Sequence, residues 1–580
     1  MRPEVSEALD AEVLVVGGGA AACMAAIAAQ RAGARVVVID KGQLGKSGCS
    51  PNAHGGLALY HKDPRDNWRV HMEDTLMSGG FLNDQELVKI LTTEGRKFLE
   101  MLESFGSLFD RERDGSIAVR PFGGHRYNRT VFSGDESGHE MMNGLKREMM
   151  KRDIPILDEV MAVSVLTNQG RATGVLGWNI GTGQFYTVQA PATILCTAEA
   201  AGIWPAASER QRGDGFSLAL YAGAELADLE FIQYHPTHAW WPFGVRGSVS
   251  ESFRGEGGWL LNSEGERFME RYDPQKMELC TRDKVSVCIH KEIRAGRGAP
   301  HGGIFASVAH LPKAQVERRL RVIYRKYLSY GYDITKEPIE VKPRPHYHCG
   351  GVVINTRAET TVPGLYAAGA ITAGVHGANR LGANALVDIL VFGEIAGTSA
   401  AEMVRQLGPE MPIDRSQVER EIGKIDRLFH NASLADHVVS APLRRRHTEL
   451  MDLHMGVMRT DEGIRTMLAE IERARHHDLP RLAVRDSSRV YNYELRDALE
   501  QFFRLDVEEM ATRAALARTE SRGGHYREDF PTRNDRDWLV TQVWTRDPDG
   551  DLRSEKRPVP QPIIKLEDLP EYANQDSPWH

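Results

Sequence analysis

The stretch VLVVGGGAAACMAAIAAQRAGARVVVIDK, Val13 to Lys41, decides the fold. Val13 to Val16 is a short buried-strand pattern, broken by the consecutive glycines Gly17, Gly18 and Gly19. An alanine-rich helical run to about Ala32 and a second apolar strand, Arg35 to Ile39, complete a βαβ start. The spacing Gly17-x-Gly19-x-x-Ala22 is that of a dinucleotide fingerprint. The first glycine permits a tight turn and the second lets backbone approach a pyrophosphate. Ala22 is small enough for helix–strand packing. The helix N-terminus then offers free N–H groups to the phosphates. Asp40 closes the second strand, where a carboxylate can hold a ribose 2′-hydroxyl. A glycine triplet alone fits many α/β turns; strand, triplet, helix, strand and acid together specify dinucleotide binding. The motif suits FAD as well as NAD and does not choose between them.

At 580 residues the chain is long enough for several domains. Its apolar (41%) and charged (26%) contents are those of a globular protein. The net charge of −8, with no long basic run, argues against a nucleic-acid partner. The segment LRRRH, Leu443 to His447, reads as a solvated helix face. Cys23, Cys49, Cys196, Cys280, Cys288 and Cys349 include no CxxC pair, so a cysteine-built zinc or iron–sulfur site is not encoded and no metal is expected. Reduced thiols in a cytoplasmic compartment are the default reading. The N-terminus lacks the features of a secretory signal. The most apolar run, Val13 to Ala29, reads as strand, turn and helix rather than a membrane span.

Downstream, Pro155 to Val188 is strand-like, and a second glycine-rich block runs from Gly350 to Gly397. From about 415 the chain is helical. Leu495, Leu499, Phe502 and Met510 fall on one face of a helix expected from Glu494 to Arg518. Thr460 before Asp461 and Glu462 has the form of a helix N-cap. The tail after 530 reads as an extended wrap.

Five further motifs carry chemistry. EFIQYHPT offers His235, and SESFRGEGG offers Ser250, Glu251 and Arg254. CTRDKVS offers Arg282 and Asp283, HYHCGG offers His346 and His348, and HGANRLGANALVDILVFG offers Arg380. Taken singly, such a histidine is usually a satisfied core group and such an arginine a salt-bridge partner. In this order, from the fingerprint to RTESRGGHYREDFP, they resemble the flavoprotein subunit of succinate dehydrogenases and fumarate reductases over roughly residues 10 to 550. L-aspartate oxidase and the adenylylsulfate reductase flavin subunit belong to the same superfamily.

The resemblance implies an α/β fold: a Rossmann-like FAD-binding domain (1–235 and 345–412) with an inserted α+β capping domain (236–344), a helical domain (413–530) and a C-terminal extension (531–580). It implies FAD held by Gly17, Gly19, Ala20, Ala22, Asp40, Lys41, Lys46, Ser47, Cys49, Gly55, Gly56, Asp214, Ala385 and Leu386. The substrate implied is a C4 dicarboxylate, fumarate or succinate. Arg380 would grip one carboxylate bidentately; His235, His346 and Ser250 would hold the other. Arg282 would carry the proton, reloaded through Glu251 and Arg254. An arginine is a weak acid, with a pKa some 5 units or more above neutrality, about 7 kcal/mol of mismatch. The carbanion-like species formed on hydride addition is a strong base that a guanidinium can protonate and stabilise. The resemblance also implies a partner, an iron–sulfur subunit, with the chain peripheral at the cytoplasmic face of the membrane through such partner subunits. Two alternatives are a related oxidase or reductase of another dicarboxylate such as aspartate, and a catalytically silent flavin electron-transfer subunit.

Several positions depart from the family pattern. Where many members link a histidine covalently to the flavin, this chain has Cys49, and His54 stands where Gln or Glu is usual. Noncovalent FAD is therefore expected, with a cysteinyl thioether at Cys49 as the alternative. Ala370 replaces a glutamate, Ala385 a serine, and CTAEAA at Cys196 to Ala201 an ATGG turn. The loop HAWWPFGVRG, His238 to Gly247, is unusually aromatic, and packing is the expected role of Trp240 and Trp241.

Overall fold

The computed structural model describes residues 5–46, 48–59, 61–205, 211–245, 247–407, 412–547 and 549–569. Its central sheet has five parallel strands, in the order Leu365–Ala367, Ala192–Leu195, Val13–Val16, Val36–Asp40, Ile156–Asp158. Val13–Val16 is buried throughout, as a central parallel strand covered on both faces must be. The strand-like region after Ile156 continues into a second sheet of Val160–Asn168, Arg171–Asn179, Phe185–Gln189 and the N-terminal Val5–Asp10.

The alanines of the helix Ala20–Arg31 have a packing reason. The long helix Asn384–Gln406 crosses it at glycines. A Cβ on Gly393 would lie 2.9 Å from the Ala21 carbonyl oxygen, and one on Gly397 only 2.1 Å from that of Ala25. The second glycine-rich block thus returns to complete the first domain. Gly397→Leu is expected to cost at least about 1–3 kcal/mol through overpacking and to lower the thermal midpoint; an unchanged melting curve would refute this contact.

Between these segments lies a domain with its own core, including Phe253, Leu260, Ile289, Val316 and Tyr327. Its antiparallel sheet runs Ile232–Trp241, Ile339–His348, Ile304–Ser307, Trp259–Leu261. The pair Ile232–Trp241 and Ile339–His348 carries the chain into and out of this cap. Its register sets Ile232 opposite His348, Gln233 opposite Tyr347 and His235 opposite Arg344. Motifs far apart in sequence therefore meet at the hinge. Trp241 stacks on His301 at 3.8 Å, and the Trp240 indole N–H donates to the His301 carbonyl at 2.6 Å, so both tryptophans pack.

The helical region comprises Arg415–Asn431, Ser440–His454, Asp461–Arg473 and Tyr493–Ala517. Thr460 caps the third of these, accepting from Gly463 N at 3.2 Å. One expectation holds with an addition, and one needs correction. The helix Tyr493–Ala517 buries Leu495, Leu499 and Met510, but also Glu500, Arg504, Asp506 and Glu508, each in an ion pair. The tail after 530 is not a plain wrap: Val540–Arg546 and Leu552–Pro558 form a hairpin that pairs with Leu226–Ala227. Asp549–Gly550, with Gly550 at φ +93°, supplies its turn.

Candidate active site

The FAD-binding face and the cap enclose one cavity of about 1270 Å³. Small-molecule pockets are about 300–1,000 Å³, so this one has room for a dinucleotide with a small molecule beside it. At the fingerprint end, Gly17 turns at φ +126°, and a Cβ there would be 2.3 Å from the Cys196 carbonyl oxygen. A Cβ on Gly19 would meet only Ser50 Oγ, at 3.5 Å. Gly19 is the extended N-cap of the helix Ala20–Arg31 and makes no side-chain cap bond; Ser50 Oγ accepts from Ala20 N at 3.3 Å, and the remaining first-turn amides can serve an anion. Asp40 lines the cavity and is 5% exposed. Lys41 Nζ lies 2.8 Å from Asp214 and 3.2 Å from Glu500, which places Lys41 and Asp214 together on the wall. Ala20, Lys46, Cys49, Gly55, Gly56, Ala385 and Leu386 also line it. Ala22 is fully buried in the helix–sheet core, and Ser47 lies outside the described residues. The glycine turn, open helix terminus and ribose-side acid fit FAD.

At the other end the same cavity is lined by His235, Ser250, Glu251, Arg282, His346 and Arg380. Arg282 starts the helix Arg282–Glu292 and is 6% exposed. Its Nε and Nη2 donate to Glu251 Oε2 at 2.8 and 2.6 Å. Arg254 lies behind, with Nη2 3.6 Å from Glu251 Oε1. Arg282 and Glu251 are hydrogen-bonded, while Arg254 is a buried ion-pair neighbour whose Nη1 donates to the Glu278 carbonyl at 2.7 Å. Burial works to raise the Glu251 pKa, yet Arg282 and Arg254 pull it down to about 2. Arg282 does not pair with its neighbour Asp283, which accepts from Asn379 Nδ2 at 2.9 Å.

Arg380 lies with its guanidinium 4.7 Å from the Tyr347 ring centroid. Burial, aided by Arg282, brings its pKa down to about 10. The rings of His235 and His346 are 5.2 Å apart. Burial first, then Arg282, holds both well below the ordinary imidazole range, so both are neutral at neutral pH. Ser250 caps the turn Glu251–Gly255, accepting from Ser252 N at 3.2 Å. Its O–H stays available to donate. The second histidine of HYHCGG has another role: His348 is fully buried, with Nε2 2.7 Å from the Leu229 carbonyl oxygen, against Trp204 and Phe216. With Glu251 neutralised by its two arginines, this end of the cavity is cationic.

Gln233 was missed by sequence reasoning. Its Oε1 accepts from Arg282 Nη1 and Arg380 Nη2, both at 2.9 Å, so one amide spaces the two arginines. Its Nε2 donates to Asn379 Oδ1 and the Arg380 carbonyl, each at 2.7 Å. It stood inside QYHPT but carried no charge to draw notice. Gly123 was missed too: its N–H donates to Glu251 Oε1 at 3.0 Å. Among the departures, Ala370 and Ala385 line the cavity, and Ala198 takes φ +70° in the CTAEAA turn. Glu199 there is fully buried and accepts from Ala201 N, Gln211 Nε2 and His348 N; burial pushes its pKa up to about 8.

Comparison with known proteins accords with this geometry. Residues 12–386 match the FAD binding domain family and 444–568 the fumarate reductase flavoprotein C-terminal family. The first-lettered subunit of the fumarate reductase (CoM/CoB) of Methanothermobacter marburgensis is 42% identical over 535 residues, covering 91% of this chain and 95% of the relative. The succinate dehydrogenase flavoprotein subunit of Rickettsia bellii is 34% identical over 577 residues, covering 94% and 95%. The solved FrdA of E. coli quinol fumarate reductase superposes with a TM-score of 0.91 at 31% identity, covering 97% of this chain and 99% of that one. The chain therefore belongs to the succinate dehydrogenase and fumarate reductase flavoprotein family, as an FAD-dependent oxidoreductase.

Proposed function

We propose that this chain interconverts fumarate and succinate, with the reductive direction favoured, as the flavoprotein subunit of a larger complex. The observation that carries the reading is the cationic end of the FAD cavity. Arg282, Arg380, His235, His346 and Ser250 come from separate motifs and line the same cavity as the fingerprint. Burying so many donors is costly unless a ligand answers them, and a small dianion does.

FAD, when bound, supplies hydride exchange with a substrate carbon. Arg380 grips one carboxylate with its forked donors. His235, His346 and the Ser250 hydroxyl hold the other. Arg282 delivers a proton to the neighbouring carbon, or removes it in the reverse sense, and its charge stabilises the dianion there. Glu251 and Arg254 pass the replacement proton inward. Gln233 keeps the proton carrier and the carboxylate clamp at fixed separation.

Three considerations support the remaining assignments. Cys49, in place of the flavin-linking histidine, supports noncovalent FAD and with it fumarate reduction, as does the relative named as a fumarate reductase. The relatives' names as subunits support a partner, for which an iron–sulfur subunit is the electron carrier proposed. No helix of the described residues is long and apolar enough to cross a membrane; membrane association at the cytoplasmic face is proposed to run through partners.

Acid precipitation of the holoprotein should leave the yellow colour in solution, whereas a coloured pellet would overturn noncovalent binding and point to Cys49. The function itself is tested by mixing anaerobically reduced protein with fumarate. The flavin absorbance should recover with saturable dependence on fumarate, and a flavin that stays bleached would refute the proposal.

A further inference from the structure

The cap touches the FAD-binding domain along the loop that follows Thr130–Val131, and one carboxylate there has an unusual task. Asp135 is 1% exposed. Its Oδ2 accepts from the backbone N–H groups of Val322 and Ile323, at 3.0 and 3.1 Å, and its Oδ1 from Val322 at 3.2 Å. These are first-turn amides of the cap helix Arg321–Ser329, whose own preceding residue, Leu320, supplies no side-chain cap. The helix is therefore capped from another domain, by a residue 187 positions away in sequence.

The neighbours reinforce the contact. Phe132 meets two guanidiniums, Arg120 of its own domain at 4.2 Å and Arg319 of the cap at 5.2 Å. Arg321 and Glu136 form an exposed pair at 3.8 Å. On the inner side, the Asp135 carbonyl oxygen is 2.8 Å from Nδ1 of His54, which lines the cofactor cavity. The capped helix carries Lys326 to the wall of the same cavity. One residue thus joins the cofactor loop to the element that closes over it.

We propose that Asp135 is a positioning residue for the dicarboxylate reaction: an interdomain helix cap that latches the capping domain over the cavity. A substrate enclosed between two domains needs them to part for entry and to close for chemistry. The latch biases that equilibrium toward closure. It rests on the dicarboxylate reading only for its kinetic consequence.

The test uses the FAD-loaded full chain, its Asp135→Ala variant and its Asp135→Asn variant. Asparagine caps helices about as well as aspartate, and a single amide oxygen can accept both N–H groups. Amide hydrogen exchange is read at Gly123 and Gly124, which donate across the same interface to Glu251 and to the Leu279 carbonyl. In Asp135→Ala their exchange should quicken about tenfold, a cost within the range for losing a cap. The KM for fumarate should rise about fivefold, with kcat within twofold and FAD retained. Asp135→Asn should behave as the native protein. Quickened exchange confined to Val322 and Ile323 would reduce Asp135 to a local cap and overturn the latch. So would an unchanged KM, or an Asp135→Asn variant as impaired as Asp135→Ala. The exchange measurement needs no substrate, so a protein that ignores fumarate but shows the Gly123 and Gly124 response would refute the function and keep the latch.

Discussion

Replacing Arg282 by alanine is expected to slow fumarate-dependent flavin reoxidation by about 10³-fold or more while FAD stays bound. A positioned proton donor contributes about 10²–10⁴-fold, and one preorganised donor to developing charge about 10²–10³-fold; Arg282 is assigned both tasks. Its guanidinium is fixed on two sides, by Glu251 and by Gln233, so its orientation is set before substrate arrives. It belongs to the cap rather than the fingerprint, so cofactor content should survive its loss. Arg282→Lys should fall in between: the charge persists, but an ammonium cannot form the two-nitrogen contact to Glu251. Stopped-flow absorbance of the reduced variants reads these rates directly. A rate unchanged in Arg282→Ala would remove Arg282 from the proton path.

The second large effect is at Arg380. Arg380→Met keeps the bulk of the side chain and deletes the charge. Removing one partner of a buried, hydrogen-bonded charge pair costs about 2–5 kcal/mol, roughly 30-fold to several thousand-fold. That loss should appear in kcat/KM for fumarate. The variant should also free the Gln233 amide oxygen of one of its two arginine donors, disturbing Arg282 and lowering kcat in addition to raising KM. An unchanged kcat/KM for fumarate in Arg380→Met would show that Arg380 does not bind a carboxylate.

Much of this was legible in the sequence because it is local. A strand, a glycine turn, a small residue at Ala22 and an acid at Asp40 fall within one βαβ unit, and chain geometry alone fixes their relation. The motif residues were legible as chemical types, since two arginines and two histidines among glycines have few other uses together. Their convergence was not, because it depends on the register that sets Gln233 opposite Tyr347 and His235 opposite Arg344. Gln233 escaped for a related reason: a neutral amide advertises nothing until two guanidiniums are seen to share its oxygen.

Charged residues misled where tertiary contacts overrode pattern. LRRRH reads as a solvated face, and Arg445 and Arg446 are exposed. His447 in the same stretch is instead buried, with Nδ1 2.6 Å from Glu508 Oε2. The helix Tyr493–Ala517 likewise hides acids that its apolar stripe does not announce: Asp506 lies on the same face as Phe502 and Met510, and Glu500 and Glu508 lie off it. They meet Lys41, Arg504, His447 and Arg475 from other turns and other elements. No single-helix periodicity encodes those partners. The C-terminal hairpin could have been read from Asp549–Gly550 after the Val- and Thr-containing run Val540–Arg546, but the charged second strand, Leu552–Pro558, obscured it.

The central claim is that arginine and imidazole side chains from distant motifs converge beside FAD to hold one small dianion. A crystal structure of the FAD-loaded protein soaked with fumarate or a nonreactive C4 dicarboxylate tests it most directly. The account predicts density for the diacid in the cavity, with one carboxylate on Arg380, the other within hydrogen-bond reach of His235 and His346, and Arg282 facing a central carbon. A diacid bound elsewhere, or lying in the cavity with Arg380 and Arg282 turned away from it, would contradict it.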